Sequence, residues 1–328
     1  LNVSPSEPAA GLDYGSNSLR LYIAASDAEG NLLPVHRERV ALRLATEAFE
    51  QGCFSRSTVE SLVEISEGFA REMDRYGTRW FRAVATEAFR RASNAGKAVE
   101  TVFNRTGIKM DIIEPAREAQ LVMDAVRNAR PHTTEPDLLV DMGGGSVELI
   151  APSADRANGE IRFESHALGL VARFDRVFRE KGAGIETREE LKRQAQEIGR
   201  AIRSGLIDDI GPSSIIAFVG GQAEMLDHLA LTWGIWGEGE SRGAGISPQQ
   251  FDELCDRAVS EPTEVLLKIG VTGDRAPLLP GSAALYRAIA QRSKAGSILL
   301  PCVGLLEGLL VGMGQHGRSW PPVQETRR

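Results

Sequence analysis

The sequence predicts an α/β protein made of two related halves. Three observations carry this reading: strand-length apolar runs alternate with helical periodicity, the pattern restarts near residue 136, and one loop motif opens each half. The motif reads "DYGSNSLRLY" from Asp13 and "DMGGGSVELI" from Asp141. Each copy has Asp, Gly two residues on, Ser five on and Leu eight on. A length of 328 residues suits two domains with separate cores.

The elements follow in order. "AAGLDYGSN", "SLRLYIAAS" and "GNLLPVHRERVALRL" are short apolar runs broken by Gly, Asp and Asn, the pattern of hairpin strands. A helix is expected from Ser57, where Ser57 and Glu60 make an S-x-x-E capping box and Val59, Leu62, Val63, Phe69 and Met73 recur at near-helical spacing. "RWFRAVAT" reads as a buried strand. A helix around Ala95 to Asn104, a short strand at Met110 to Ile113 and a helix opened by Pro115 follow. The polar, Pro-containing "RNARPHTTEP" of residues 127–136 reads as a hinge, which gives a first domain over 1–126, a second over 127–312 and a tail over 313–328. The second half restarts with "DLLVDMGGGSVELIA". Thr187 with Glu190, and Ser247 with Pro248 and Gln250, mark two helix starts, and "SIIAFVGG" is a strand ending on two glycines. The tail "RSWPPVQETRR" reads as a loose end.

Composition narrows the function. A net charge of −7 argues against a broad nucleic-acid or anionic-membrane surface. Cys53, Cys255 and Cys302 are odd in number, far apart and without CxxC spacing, so they indicate a reducing compartment and no zinc site. The five histidines form no HExxH-like pair. No apolar run approaches the roughly 18 residues of a membrane span, and the start lacks a leader pattern. A cytoplasmic protein is expected.

The repeated loop carries chemistry. An Asp-tipped strand followed by Gly143, Gly144 and Gly145 brings backbone N–H groups close to an anion, and Ser146 adds a hydroxyl. Asp141 would oppose that anion unless a cation lies between them, and a hard divalent ion such as Mg²⁺ accepts carboxylate and phosphate oxygens together. A lone copy reads equally well as a tight turn. Two copies, each opening its own half, favour a grip on one polyphosphate from two sides. Gly220 and Gly221, between a strand and a helix, are a third candidate anion site.

In order and spacing, "GLDYGSNSLRL", "AVATEAFRRASNA", "IIEPAREAQLV", "LLVDMGGGSVELI", "ALGLVARF", "AFVGGQAEMLDHLA", "LPGSAAL" and "GLLEGLL" resemble the exopolyphosphatase and guanosine pentaphosphate phosphohydrolase family. That family lies within the actin-like ATPase superfamily. The resemblance implies two actin-like (ribonuclease H-like) domains with the active site in the cleft between them. It implies phosphate binding by Gly15, Ser16, Asn17 and Ser18 beside Asp13, and by Gly143, Gly144, Gly145 and Ser146 beside Asp141. It also implies a phosphate-holding Arg90, a catalytic Glu118 and an acidic Glu148 near the metal, so that Asp13, Asp141 and Glu148 form the metal set. Inorganic polyphosphate or guanosine pentaphosphate (pppGpp) is the implied substrate, Mg²⁺ or another divalent ion the cofactor, and family members commonly form homodimers.

The sequence also departs from the family. Gln222 and Val147 stand where Thr is usual, Arg117 where Glu is usual, and Pro301, Cys302 and Leu306 replace polar or charged residues near Glu307. These departures leave a second reading open: a nucleotide or polyphosphate sensor with weak or lost hydrolysis. A third, a sugar kinase, shares the loops but has no recognisable sugar pocket in the sequence.

Overall fold

In a computed structural model the chain is described over residues 7–27, 31–129, 135–153, 159–182, 184–236, 245–315 and 324–325. It divides into two compact units, Leu1–Pro131 with Val303–Arg328, and His132–Cys302. This departs from the expected domains: the boundary lies inside the 127–136 stretch, and the chain after Cys302 returns to the first unit.

The first unit begins with an antiparallel meander of β1 (Ala9–Tyr14), β2 (Ser18–Ser26) and β3 (Leu32–Ala41). β3 is the sheet edge, and its Pro34 sits beside a register shift at Ile23/Ala24, where a missing N–H is tolerated. Helices α1 (Leu44–Glu50) and α2 (Arg56–Arg75) follow. α2 starts earlier than expected. Its N-cap is Ser55, whose hydroxyl accepts from Thr58 N at 3.2 Å, and Glu60 instead pairs with Arg56. β4 (Trp80–Ala85) then runs parallel to β1. α3 (Glu87–Arg91), α4 (Ala95–Thr106), β5 (Asp111–Ile112), parallel to β4, and α5 (Pro115–Ala129) complete this stretch. Leu12, Tyr14, Leu21, Phe69, Phe89 and Val102 belong to one buried cluster of strand and helix side chains.

The second unit repeats this plan. β6 (Leu138–Met142), β7 (Val147–Pro152) and β8 (Ile161–His166) form the antiparallel meander. α6 (Leu170–Lys181), α7 (Ile185–Ala201) and the single turn α8 (Gly205–Asp208) precede β9 (Ile215–Val219), which runs parallel to β6. Thr187 does not cap α7: it lies within the helix, and its hydroxyl donates to Gly182 O at 2.6 Å. α9 (Gly221–Thr232), α10 (Pro248–Ser260), α11 (Thr263–Lys268) and α12 (Leu279–Ser293) lead to β10 (Ser297–Leu299), parallel to β9. The capping box of α10 is formed in full by Ser247 and Gln250, with Pro248 in the first turn. Phe218 stacks on Phe251 and meets Tyr286 edge-on in the core.

The chain ends on the first unit. α13 (Leu305–Gln315) packs on α5 and β1, and β11 (Gln324–Glu325) pairs antiparallel with the first residues of β4. Part of the expected loose tail is therefore a sheet strand; the rest of it lies outside the described residues. The sheet orders are β11-β4-β1-β2-β3, with β5 also on β4, and β10-β9-β6-β7-β8. Apart from β11 the two sheets have one topology, so each D-x-G-x-x-S loop closes the first hairpin of its own sheet.

Candidate active site

The two loops share their geometry as well as their sequence. Gly15 N donates to Ser18 O at 3.2 Å, and Gly143 N donates to Ser146 O at 2.9 Å. Asp13 pairs with Arg20 and Asp141 with Glu148 at the same place in each hairpin. The remaining loop atoms are anchored differently. Ser16 O and Asn17 O accept from Ala45 N and Leu42 N at the start of α1, whereas Gly144 O and Gly145 O accept from Val171 N and Gly169 N around the start of α6. Among the described residues no backbone carbonyl takes the N–H of Ser16, Asn17, Gly144 or Gly145. These donors suit an anion.

The charges beside the loops differ. Directly opposed residues of neighbouring strands point to one face of a sheet. In the first unit that row is Asp13, Arg20 and Arg39; in the second it is Asp141, Glu148 and Ser165. Asp13 is buried and its Oδ2 accepts from Arg20 Nε at 2.8 Å and from Nη2, while its Oδ1 is buried without a hydrogen-bond partner among the described residues. Glu148 is buried and its Oε1 accepts from Ser165 Oγ at 2.9 Å. Sequence reasoning missed Arg20 and Ser165. The signal was available for Arg20, since it stands at the position of Glu148 in the other copy.

Two adjacent carboxylates suit a hard divalent ion, which takes one or two protein carboxylates with water and phosphate oxygens. The Asp141–Glu148 row fits such an ion. Among the described residues no group of three or more His, Cys, Asp or Glu side chains is gathered in a metal-binding arrangement.

Arg90 and Glu118 come together in the first unit. Arg90 Nη1 donates to Glu118 Oε2 at 3.1 Å and to Ile113 O at 2.6 Å, and Nε donates to Glu87 Oε2 at 2.9 Å. Burial pulls the Arg90 pKa down, but Glu118 and Glu87 outweigh it and hold the group above its ordinary value. Arg90 is therefore a fixed cation. Its Nη2 is buried and has no hydrogen-bond partner among the described residues. Glu118 and Glu87 are about nine-tenths buried. Glu87, which orients Arg90 from the first turn of α3, also went unnoticed in the sequence.

The glycines at the start of α9 serve a tight junction. Gly220 has φ +96°, and a Cβ there would lie 2.7 Å from Met142 O and 3.0 Å from Asp141 Oδ1. A Cβ on Gly221 would lie 2.9 Å from Arg275 Nη2, and Arg275 Nη1 pairs with Glu224 at 3.0 Å. Gln222 Nε2 donates to Arg275 O at 3.4 Å. A buried guanidinium thus lies against the helix start where the sequence suggested open amides.

A family model, the Ppx/GppA phosphatase family, matches residues 22–316. The chain belongs to the Ppx/GppA phosphatase family. Solved structures similar to it include a Ppx/GppA family member from Aquifex aeolicus, at 22% identity and TM-score 0.69, covering 95% of this chain and 99% of that one. An exopolyphosphatase from Cytophaga hutchinsonii is similar at 20% identity and TM-score 0.74, covering 93% and 97%. An exopolyphosphatase-like protein is similar at 22% identity and TM-score 0.76, covering 94% and 98%. These likenesses show the fold. No helix among the described residues is long and apolar enough to cross a membrane.

Proposed function

We propose that this Ppx/GppA family protein is an Mg²⁺-dependent phosphoanhydride hydrolase that releases terminal orthophosphate from inorganic polyphosphate, pppGpp or both. The observation that carries the reading is the buried Arg90–Glu118 pair, with one guanidinium nitrogen left to donate, in a chain that builds the Asp-tipped glycine loop twice.

Hydrolysis of a phosphoanhydride requires an in-line water and positive charge on the transferring oxygens. Glu118 orients the water and draws on its proton. Arg90 Nη2 donates to the terminal phosphate, held in place by Glu87 and the Ile113 carbonyl. The N–H groups of Ser16, Asn17, Gly144 and Gly145 and the hydroxyls of Ser18 and Ser146 hold neighbouring phosphate oxygens. Asp141 and Glu148 would hold the Mg²⁺, which supplies neutralisation of phosphate charge.

The sensor reading is favoured by one observation, the Arg275 guanidinium against Gly221. Phosphate release from polyphosphate, pppGpp and ATP, with and without Mg²⁺, separates the two. A hydrolase releases phosphate, and Glu118→Ala reduces release about 10²–10⁴-fold while substrate still binds. Tight binding by the native chain with no release selects the sensor. Unchanged release by Glu118→Ala removes Glu118 from the role given to it.

A further inference from the structure

We propose that the second unit carries a pocket for a nucleoside phosphate between α6 and α7, lined by no glycine-loop residue although its Leu168 precedes Gly169, which donates to Gly145 O. This inference does not rest on the hydrolase reading. The cavity has a volume of about 410 Å³, within the roughly 300–1,000 Å³ of small-molecule sites.

Its walls divide by chemistry. Leu168, Ile198 and Ile202 make an apolar floor, and Arg173 and Arg176 stand on the rim from one face of α6, one turn apart. Both arginines are exposed. Arg173 Nε donates to Leu168 O at 2.6 Å, which fixes its guanidinium at the pocket edge. Arg176 has no hydrogen bond or ion pair with any described residue. The carboxylates at the pocket pair with other side chains: Glu190 and the lining Glu197 bind Arg193, also a lining residue, and Glu164 lies 3.6 Å from the lining His166. Arg173 and Arg176 thus remain as cations without a carboxylate partner among the described residues.

Planar guanidinium groups match phosphate oxygens in pairs, and an apolar floor takes the flat face of a base. Gln194, whose Nε2 donates to Glu190 at 2.8 Å, presents its amide oxygen at the same pocket as an acceptor for a base edge or ribose. Inorganic phosphate would leave the floor uncovered. The combination selects an organic phosphate with an apolar body, and the nucleoside phosphates are the class with both parts.

The test is calorimetric titration of the full chain with guanosine and adenosine 5′-monophosphate, which contain no phosphoanhydride to hydrolyse. Inorganic phosphate is the control. The expected result is saturable binding of at least one nucleotide, weakened about tenfold or more in Arg173→Gln/Arg176→Gln through loss of the charge-assisted hydrogen bonds. Ala201→Trp, which fills the cavity from an exposed lining position, should abolish the same binding. Unaltered thermal unfolding of both variants shows that the chain still folds. Absence of nucleotide binding, binding equal in the native chain and either variant, or inorganic phosphate binding as tightly as the nucleotide overturns the proposal.

Discussion

At the residue scale, two arginines, one half-buried and one buried, make opposite predictions. Arg20 neutralises Asp13, whose side chain is 2% exposed against 25% for the guanidinium. Arg20→Met leaves a buried carboxylate uncompensated, and loss of one partner of a buried pair costs about 3–5 kcal/mol. Urea unfolding should show this loss, with part of it recovered in Arg20→Met/Asp13→Leu; equal midpoints for the native chain and the single variant would show that Asp13 does not need the pair. Arg82 is the reverse case. It is buried on β4, Nη1 donates to Leu309 O at 3.2 Å, and Nε and Nη2 have no hydrogen-bond partner among the described residues. Burial, then the neighbouring Arg117, pushes its pKa well below the ordinary guanidinium value, to about 10. Above about pH 10 the unfolded chain binds more protons than the folded one, so the cost of burying the cation is fully present below that pH and is relieved as pH rises through it. Arg82→Met should therefore stabilise the protein by on the order of 1 kcal/mol at neutral pH. A lower unfolding midpoint would mean that the guanidinium is compensated in the fold.

At the element scale, what the sequence disclosed and what it hid follow from the range of the interactions. Local signals placed most elements: Pro115 opens α5, Ser247 caps α10, and alternating apolar runs mark the strands. Ser57 and Thr187 misled because an S/T-x-x-E pattern also occurs inside a helix, where the hydroxyl finds another acceptor or another residue caps first. The loop glycines and their aspartates were legible because the motif is contiguous. Glu87, Ser165 and Arg275 were not, since their roles depend on a turn of helix or a neighbouring strand that brings them against Arg90, Glu148 and Gly221. The same reasoning separates two glycines. Gly143→Ala adds a Cβ 3.5 Å from Ser146 O, an ordinary contact, and should fold normally. Gly220→Ala forces a left-handed conformation and meets Met142 O and Asp141 Oδ1, so it should lose at least about 1 kcal/mol of stability. Thermal unfolding of the pair checks this, and equal midpoints would show that the β9–α9 junction yields to a methyl group.

At the scale of the whole molecule, repetition of the D-x-G-x-x-S loop reported that one sheet topology is used twice, whereas the return of the chain to the first unit left no local mark. α13 was legible only through the string "GLLEGLL" and the departures at Pro301, Cys302 and Leu306 before Glu307. Its place is fixed by packing: Leu305, Leu306, Leu309, Leu310 and Val311 are buried, and Gly308 approaches α5 so closely that a Cβ would lie 2.0 Å from Leu121 O. Glu307 adds an ion pair with Arg37 of β3 at 2.7 Å. Burial of five such side chains contributes roughly 1.5–3 kcal/mol each as an upper estimate, a gross sum of the same order as the net stability of a whole domain, about 5–15 kcal/mol. A chain ending at Cys302 should thus lose the first unit and keep the second. Hydrogen exchange should show protection collapsing in Ala9–Tyr14 and Pro115–Ala129, which α13 covers, while Leu138–Met142 and Ile215–Val219 stay protected. Glu118 sits on the destabilised helix, so phosphate release should vanish with that protection even though every residue of both glycine loops is still present. Retained protection of α5 in the shortened chain would show that β1, β4 and the helices before residue 130 hold that layer without α13, and the C-terminal return would then be dispensable to the first unit.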